Sequence, residues 1–126
     1  MTCGKRPRRA NLRWMAEHMN EAWSGLATEL ETHGLAAATA NATLLRRATS
    51  KWSARAEVRG SMNDLLFTPP GSTYPFSSQV RVAWSDGVFT ISLQRDGLTI
   101  TGDKCTEGAS DSVLSAFLAQ LVGGET

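Results

Sequence analysis

The chain has 126 residues, of which 41% are hydrophobic and 20% charged, and its formal net charge is +1. This is the length and composition of one globular domain that can bury a core. There is no run of about 18 apolar residues, so we expect no membrane span, and the N-terminus lacks the apolar stretch of a secretory signal. We therefore expect a soluble cytoplasmic protein in which Cys3 and Cys105 are free thiols.

The positive charge is concentrated towards the N-terminus. Residues 1–60 hold ten Lys and Arg against five Glu, whereas residues 61–126 hold three Lys and Arg against seven Asp and Glu. The segment 1–10, MTCGKRPRRA, is predicted to be a disordered basic tail, followed by a single domain over residues 11–126. Such a tail can bind nucleic-acid phosphates. Its cations are Lys5, Arg6, Arg8 and Arg9.

Apolar residues recur at every third or fourth position from Asn11 to His33, which predicts a long amphipathic helix. Asn11 is a good N-cap, and Gly34 suits the position just after the helix. The apolar stripe consists of Leu12, Met15, Ala16, Met19, Ala22, Trp23, Leu26, Ala27 and Leu30. A stripe of this length can cover a sheet or pair with a partner helix. Trp23 within the stripe and Trp14 on its polar side are therefore candidate partner contacts.

The next segment, Leu35 to Ser50, is rich in Ala and predicts a second helix. Whether it is continuous with the first helix stays open. The alternation of apolar and polar residues after Lys51 favours a strand, a turn at Gly60-Ser61 and a second strand that ends at Phe67. A competing interpretation continues the second helix through Ala56.

Three prolines prevent regular structure between Thr68 and Ser78, so this segment is predicted to be a loop. Tyr74 and Phe76 lie within it. Aromatic residues in a loop either fix the loop to the core or line a binding cleft. This loop is the best candidate for a recognition element in the sequence.

The most clearly specified stretch is Gln79–Gly102, which predicts a three-stranded antiparallel meander. Asp86-Gly87 and Asp96-Gly97 have the composition of two-residue type I′ turns, which need positive φ at both central residues. Two-residue turns also fix the register of the strands. The first turn pairs Ser85 with Val88, Trp84 with Phe89, Val82 with Ile91 and Val80 with Leu93. The second turn pairs Arg95 with Leu98 and Leu93 with Ile100.

This register sorts the side chains of the meander into two faces. The apolar face carries Val80, Val82, Trp84, Phe89, Ile91, Leu93, Leu98 and Ile100. The polar face carries Arg81, Ala83, Thr90, Ser92, Gln94, Thr99 and Thr101. We expect helices to cover the apolar face and water to cover the polar face.

A last helix is predicted from Ser110 or Asp111 to Leu121, and Gly123-Gly124 ends it. Its apolar residues form a compact face that can cover the meander. The predicted fold class is therefore α+β. An antiparallel meander sheet of three to five strands is covered on one face by a long N-terminal helix, or a helix pair, and by a C-terminal helix.

The sequence contains no recognisable catalytic set. His18 and His33 lie about four turns apart on the predicted helix, and no spacing of Cys or carboxylates completes a metal site. No nucleophile elbow, phosphate-binding loop or dinucleotide fingerprint is present. We predict no metal and no cofactor and favour a non-enzymatic protein, although catalytic groups that are distant in sequence leave an enzyme open.

The preferred hypothesis is a small protein-binding or regulatory domain, of the chaperone, adaptor or immunity type, with an unknown protein partner. A partly uncovered sheet in a short chain often completes its core by dimerising, so we expect a homodimer. The candidate contact residues are Trp14, Trp23, Tyr74 and Phe76. The excess of Arg over Lys, together with abundant Ala, indicates a GC-rich bacterial genome.

Two alternatives remain. The order of helix, meander (VRVAWSDGVFTISLQRDGLTIT) and closing helix resembles the layout of the small dimeric nucleoid-associated YbaB family, with Lys51–Ser78 as an insertion. This resemblance implies a dimeric nucleic-acid-associated protein. The second alternative is a small-ligand binder or an enzyme whose cleft lies beside the Pro-rich loop.

Overall fold

The computed structural model describes the backbone of residues 7–123 and the side chains of residues 17–123. This part of the chain forms three helices and five strands, which confirms the predicted α+β class. The elements are, in chain order, α1 (Pro7–Thr32), α2 (Ala36–Trp52), β1 (Glu57–Ser61), β2 (Asp64–Thr68), β3 (Ser78–Ser85), β4 (Val88–Arg95), β5 (Leu98–Thr106) and α3 (Glu107–Gly123). Within this part of the chain, no helix combines the length and the apolar character needed to cross a membrane.

The five strands form one antiparallel sheet in the order β1-β2-β3-β4-β5, so each strand pairs with its neighbour in the chain. All four predicted pairs between β3 and β4 are present. In the two turns, Asp86 and Asp96 have φ of 52° and 51°, and Gly87 and Gly97 both have φ of 84°. These are the positive values that a type I′ turn requires. The turn residues therefore predicted both the shape and the register of the first hairpin.

The second hairpin departs from the predicted register. Arg95 lies opposite Leu98 as expected, but Leu93 lies opposite Thr101, because a β-bulge inserts Ile100 as an extra residue. Leu98 and Ile100, which were expected beneath a helix, are 69% and 57% exposed. The edge strand β5 consequently presents two large aliphatic side chains to solvent.

The helix boundaries differ from the prediction at several ends. The first helix begins at Pro7 rather than Asn11, so residues 7–10 of the predicted tail are helical, and residues 1–6 lie outside the described part. Gly34, with φ of 75°, separates α1 from α2, so the two predicted N-terminal helices are a pair and not one continuous helix. The last helix begins at Glu107, and Ser110, instead of capping it, donates its Oγ hydrogen bond to the Glu107 carbonyl at 2.7 Å.

The ambiguous segment after α2 combines both interpretations. The second helix continues to Trp52, where the carbonyl accepts from the backbone N–H of Arg55 at 2.8 Å and of Ala56 at 3.0 Å in a closing turn. The following hairpin turns at Met62, which has φ of 59°, and not at Gly60-Ser61. Gly60 lies within β1, where a Cβ would be 3.4 Å from the side chain of Leu26, so its lack of a side chain lets α1 approach the sheet.

All three helices lie on one face of the sheet. The first contacts β1, the second contacts β2 and β3, and the third contacts β3, β4 and β5, while α2 also touches both other helices. The core lies between these two layers. Its largest fully buried side chains are Trp23, Phe67, Phe89, Leu44, Leu45, Leu65, Ile91, Leu114, Leu118, Leu121, Val80 and Val82.

The opposite face of the sheet, which was expected to face water, is partly covered by the loop 69–77. Gly71 donates its backbone N–H to the Glu57 carboxylate at 3.0 Å, and the Arg59 guanidinium lies 4.5 Å from the centre of the Phe76 ring. The Pro-rich loop therefore folds back over β1. Further along this face, Arg81 and Asp64 form a salt bridge of 2.9 Å.

Candidate functional site

The Pro-rich loop 69–77 is held to the sheet at both ends. Near its start, Gly71 donates its backbone N–H to Glu57 of β1 at 3.0 Å. Within the loop, both the backbone N–H and the hydroxyl of Ser72 donate to the Pro69 carbonyl, at 3.2 and 2.6 Å. At its end, the Ser77 carbonyl accepts from the backbone N–H of Asp96 at 2.9 Å, which joins the loop to the turn between β4 and β5. A loop fixed in this way can present side chains in a defined position.

The two aromatic residues of the loop form one ordered unit. Their ring centres are 5.8 Å apart and the rings are nearly perpendicular, at 83°, which is the edge-to-face arrangement that aromatic pairs favour. Phe76 is half-buried and also packs against the Arg59 guanidinium. Tyr74 is 84% exposed. An exposed tyrosine ring is thus supported by a second ring that is itself held by a cation–π contact.

A cleft of about 500 Å³ lies between this aromatic pair and the β4–β5 turn. Gln79 of β3 and Gln94 of β4 lie opposite each other across the sheet and contribute to its wall. The Nε2 of Gln79 donates to the Oε1 of Gln94 at 2.6 Å, so the second amide N–H group and the remaining carbonyl are left to bind a ligand. Of the residues that line the cleft, only Asp96 is charged.

The cleft therefore offers one aromatic platform, two side-chain amides and one carboxylate. This mixture of apolar surface with a few polar groups is typical of a binding site. The chemistry of the cleft is suited to recognition by contact and hydrogen bonding.

The structure brings together two of the four candidate contact residues. Tyr74 and Phe76 share the cleft. Trp23 is fully buried, where its ring centre is 5.4 Å from that of Phe67 and its Nε1 donates to the Ala56 carbonyl at 3.0 Å. This tryptophan is part of the core. The side chain of Trp14 lies outside the described residues, and so do the tail cations Lys5, Arg6, Arg8 and Arg9.

The sequence analysis did not identify the polar residues that line the cleft, although the strand register could have indicated some of them. The register that places Val80 opposite Leu93 also places Gln79 opposite Gln94, one position further along. The same register places Ser77 opposite Asp96, two positions further along. The placement of the aromatic pair had no such signal, because it depends on how the loop folds back over the sheet.

The metal-ligating side chains in the described part of the chain do not form a metal centre. No three of its His, Cys, Asp and Glu side chains are placed to hold one metal ion. The thiol of Cys105 is free, and partial burial, with a smaller contribution from Asp103, raises its pKa. A raised thiol pKa lowers the fraction of thiolate, which is the reactive species.

Comparison of the chain with protein-family models, with curated proteins and with solved structures found no match. The function therefore has to be argued from the geometry of the chain itself.

Proposed function

We propose that this domain binds another protein, and that the aromatic cleft is the centre of the contact. The observation that carries the proposal is the 84% exposure of Tyr74 on a ring pair that the fold holds in place. Tyrosine is enriched among the residues that dominate binding energy at interfaces. A ring that is already ordered loses little conformational freedom when a partner packs against it.

A second exposed apolar feature follows the cleft in sequence, but the Leu98 side chain points to the opposite face of the sheet from Gln94, because Leu98 pairs with Arg95. Leu98 begins the exposed edge of β5 that also carries Ile100. Because β5 is an end strand of the sheet, its outer backbone groups have no neighbouring strand among residues 7–123. An apolar side chain of the partner can pack on Tyr74, while an adjacent segment of the partner lies along β5.

The polar groups of the cleft would select among partners. The free amide groups of Gln79 and Gln94 offer both a donor and an acceptor, and Asp96 favours a partner that places a donor or a positive charge beside it. The proposed partner is therefore a protein surface with an apolar side chain flanked by hydrogen-bond donors.

The test is affinity capture from host lysate with three baits: the native domain, Tyr74→Ala and Met62→Ala. Met62 is a matched control because it is 92% exposed in a turn remote in sequence from the cleft. We expect one protein to be enriched by the native bait and by Met62→Ala but lost with Tyr74→Ala. Equal recovery by all three baits, or no enrichment over beads, would count against the proposal.

A homodimer is one form that this proposal takes, with a second copy of the chain as the partner. Size-exclusion chromatography with light scattering identifies it, since Tyr74→Ala should then shift the native dimer towards monomer. A cytoplasmic location and a bacterial source remain part of the same proposal.

The cleft also favours one of the alternatives, a small-ligand binder. Its volume of about 500 Å³ lies in the range of ligand pockets. A thermal-shift screen of metabolites discriminates, because a hit that disappears in Tyr74→Ala or Phe76→Ala would replace the protein partner by a small ligand. The nucleic-acid alternative was based on the resemblance to the YbaB layout, with the tail cations as its candidate contacts, and it stays a prediction.

A further inference from the structure

A second cleft, of about 390 Å³, lies between α2 and α3 in the helical layer of the molecule. Two cations of α2, Arg47 and Lys51, line one wall, and Asp111, Ser112 and Ser115 of α3 line the other. The indole of Trp52, only 2% exposed, lies between these walls.

Five of the eight Lys and Arg residues whose side chains are described form no salt bridge, and two of these five, Arg47 and Lys51, line this cleft. Arg46, Arg59 and Arg81 each form a salt bridge with a carboxylate. Arg47 and Lys51 lie four residues apart on the same helix face. Like charges at this spacing destabilise a helix modestly, and an anion between them would remove that repulsion.

The Trp52 ring holds further positive charge near the cleft. The Lys51 ammonium lies 5.8 Å from the centre of the ring, and the Arg55 guanidinium lies 4.4 Å from it. Cation–π contacts restrict where these charges can move. The cleft is therefore bordered by cations whose positions are partly fixed before any ligand arrives.

The hydroxyl of Ser115 is also oriented towards donation. Its Oγ accepts the Nε1–H of Trp52 at 3.0 Å, which leaves the hydroxyl proton for another acceptor. A hydroxyl that accepts one hydrogen bond becomes a better donor in the next. Together with the guanidinium of Arg47 and the ammonium of Lys51, the cleft presents three kinds of donor to one ligand.

We propose that this cleft binds a phosphate monoester. Such a group carries three acceptor oxygens and a charge of about −1.5 to −2 at neutral pH. Three oxygens suit two cations and a hydroxyl better than the two oxygens of a carboxylate do, and the two cations outnumber the one carboxylate of the lining, Asp111. The planar fork of Arg47 suits two phosphate oxygens. Asp111 provides an acceptor for a hydroxyl on the ligand beyond the phosphate.

The test titrates the full chain with ribose 5-phosphate, followed by calorimetry and by the NMR signal of the Trp52 indole N–H, at about 0.02 M salt, where screening is weak. We expect binding that shifts this signal, and none with ribose. Arg47→Gln and Lys51→Gln should each weaken binding about tenfold, as expected for loss of a charged hydrogen-bond donor. Both side chains are on the surface, so the fold should tolerate the changes.

Arg95→Gln is the matched control, because Arg95 is an exposed arginine at the end of β4 and outside the cleft. It should change affinity less than twofold. Equal weakening by Arg95→Gln would show that overall charge, and not the cleft, attracts the anion, and would overturn the proposal. So would the absence of binding to ribose 5-phosphate in the native chain, or binding to duplex DNA alone.

A phosphate monoester can be a free metabolite or the headgroup of phosphatidic acid. Co-sedimentation with phosphatidic acid vesicles, with ribose 5-phosphate as competitor, distinguishes these sources. Vesicle binding that the competitor abolishes assigns the headgroup to the same cleft. Absence of vesicle binding, with ribose 5-phosphate bound, assigns the site to a free metabolite.

Discussion

Replacing Trp23 by Phe should destabilise the domain more than replacing Trp52 by Phe, although both indoles make one hydrogen bond of the same length. Trp23 Nε1 donates to the Ala56 carbonyl at 3.0 Å, and both residues are fully buried. Trp52 Nε1 donates to the Ser115 hydroxyl at 3.0 Å, at the wall of an open cleft. The two substitutions remove the same atoms and differ in what is left behind.

The magnitudes follow from that difference. Loss of the pyrrole part of a buried indole costs about 2 kcal/mol in burial and cavity terms. In Trp23→Phe the Ala56 carbonyl also loses its indole donor where water cannot easily enter, which adds about 1–3 kcal/mol. In Trp52→Phe water can reach Ser115, so the added cost is about 0–1 kcal/mol. We expect total losses of about 4 and about 2 kcal/mol.

Urea unfolding followed by far-UV circular dichroism measures both free energies. The m-values should stay unchanged, so that the shift in midpoint reports stability alone. Losses that agree within about 0.5 kcal/mol, or a larger loss for Trp52→Phe, would refute the reasoning, because enclosure of the hydrogen-bond acceptor would then not decide the cost.

Two further predictions concern the backbone and the surface charges. Gly25→Ala should raise the free energy of unfolding by about 1 kcal/mol, since Gly25 is exposed inside α1 with open space where a Cβ would lie. Gly97→Ala should lower the free energy of unfolding by about 1–2 kcal/mol, because φ at Gly97 is 84°. Urea unfolding measures both changes, and shifts of the same sign would contradict these expectations. A hydrogen bond from Arg46 lowers the pKa of Glu31, so the stability that this pair contributes is present above the unfolded-state pKa and is lost as the pH falls through the folded-state pKa. The midpoint temperature of thermal unfolding of Glu31→Gln should therefore fall less steeply with decreasing pH than that of the native chain. Acid branches of the two curves that coincide would show that the pair contributes nothing.

The first hairpin of the meander could be predicted because one local signal fixed it completely. Asp86-Gly87 determines the turn, and a two-residue turn leaves the strands a single register. The second hairpin has the same turn chemistry at Asp96-Gly97, yet its register shifts at Ile100. A bulge depends on the packing and twist of the whole sheet, so no single residue of β5 predicts it.

The candidate site was predicted in part for a similar reason. The aromatic residues of the Pro-rich loop, Tyr74 and Phe76, were predicted to be candidate contact residues, and both line the cleft. The sequence could not decide whether Trp23 lies in the core or on the surface, because an apolar helix stripe can pack against either a sheet or a partner. The sheet supplied the cover, through Phe67.

The strand order also has a consequence for how the chain reaches this structure. Each strand neighbours the one before it, and the turns at residues 62–63, 86–87 and 96–97 are two residues long, with 69–77 as the single longer link in the sheet. Closing such short loops costs little chain entropy. The sheet can therefore assemble from contacts that are close in sequence, a feature that goes with rapid folding. The contacts between α2 and α3, such as the hydrogen bond between Trp52 and Ser115, join residues much further apart in the chain and complete the domain.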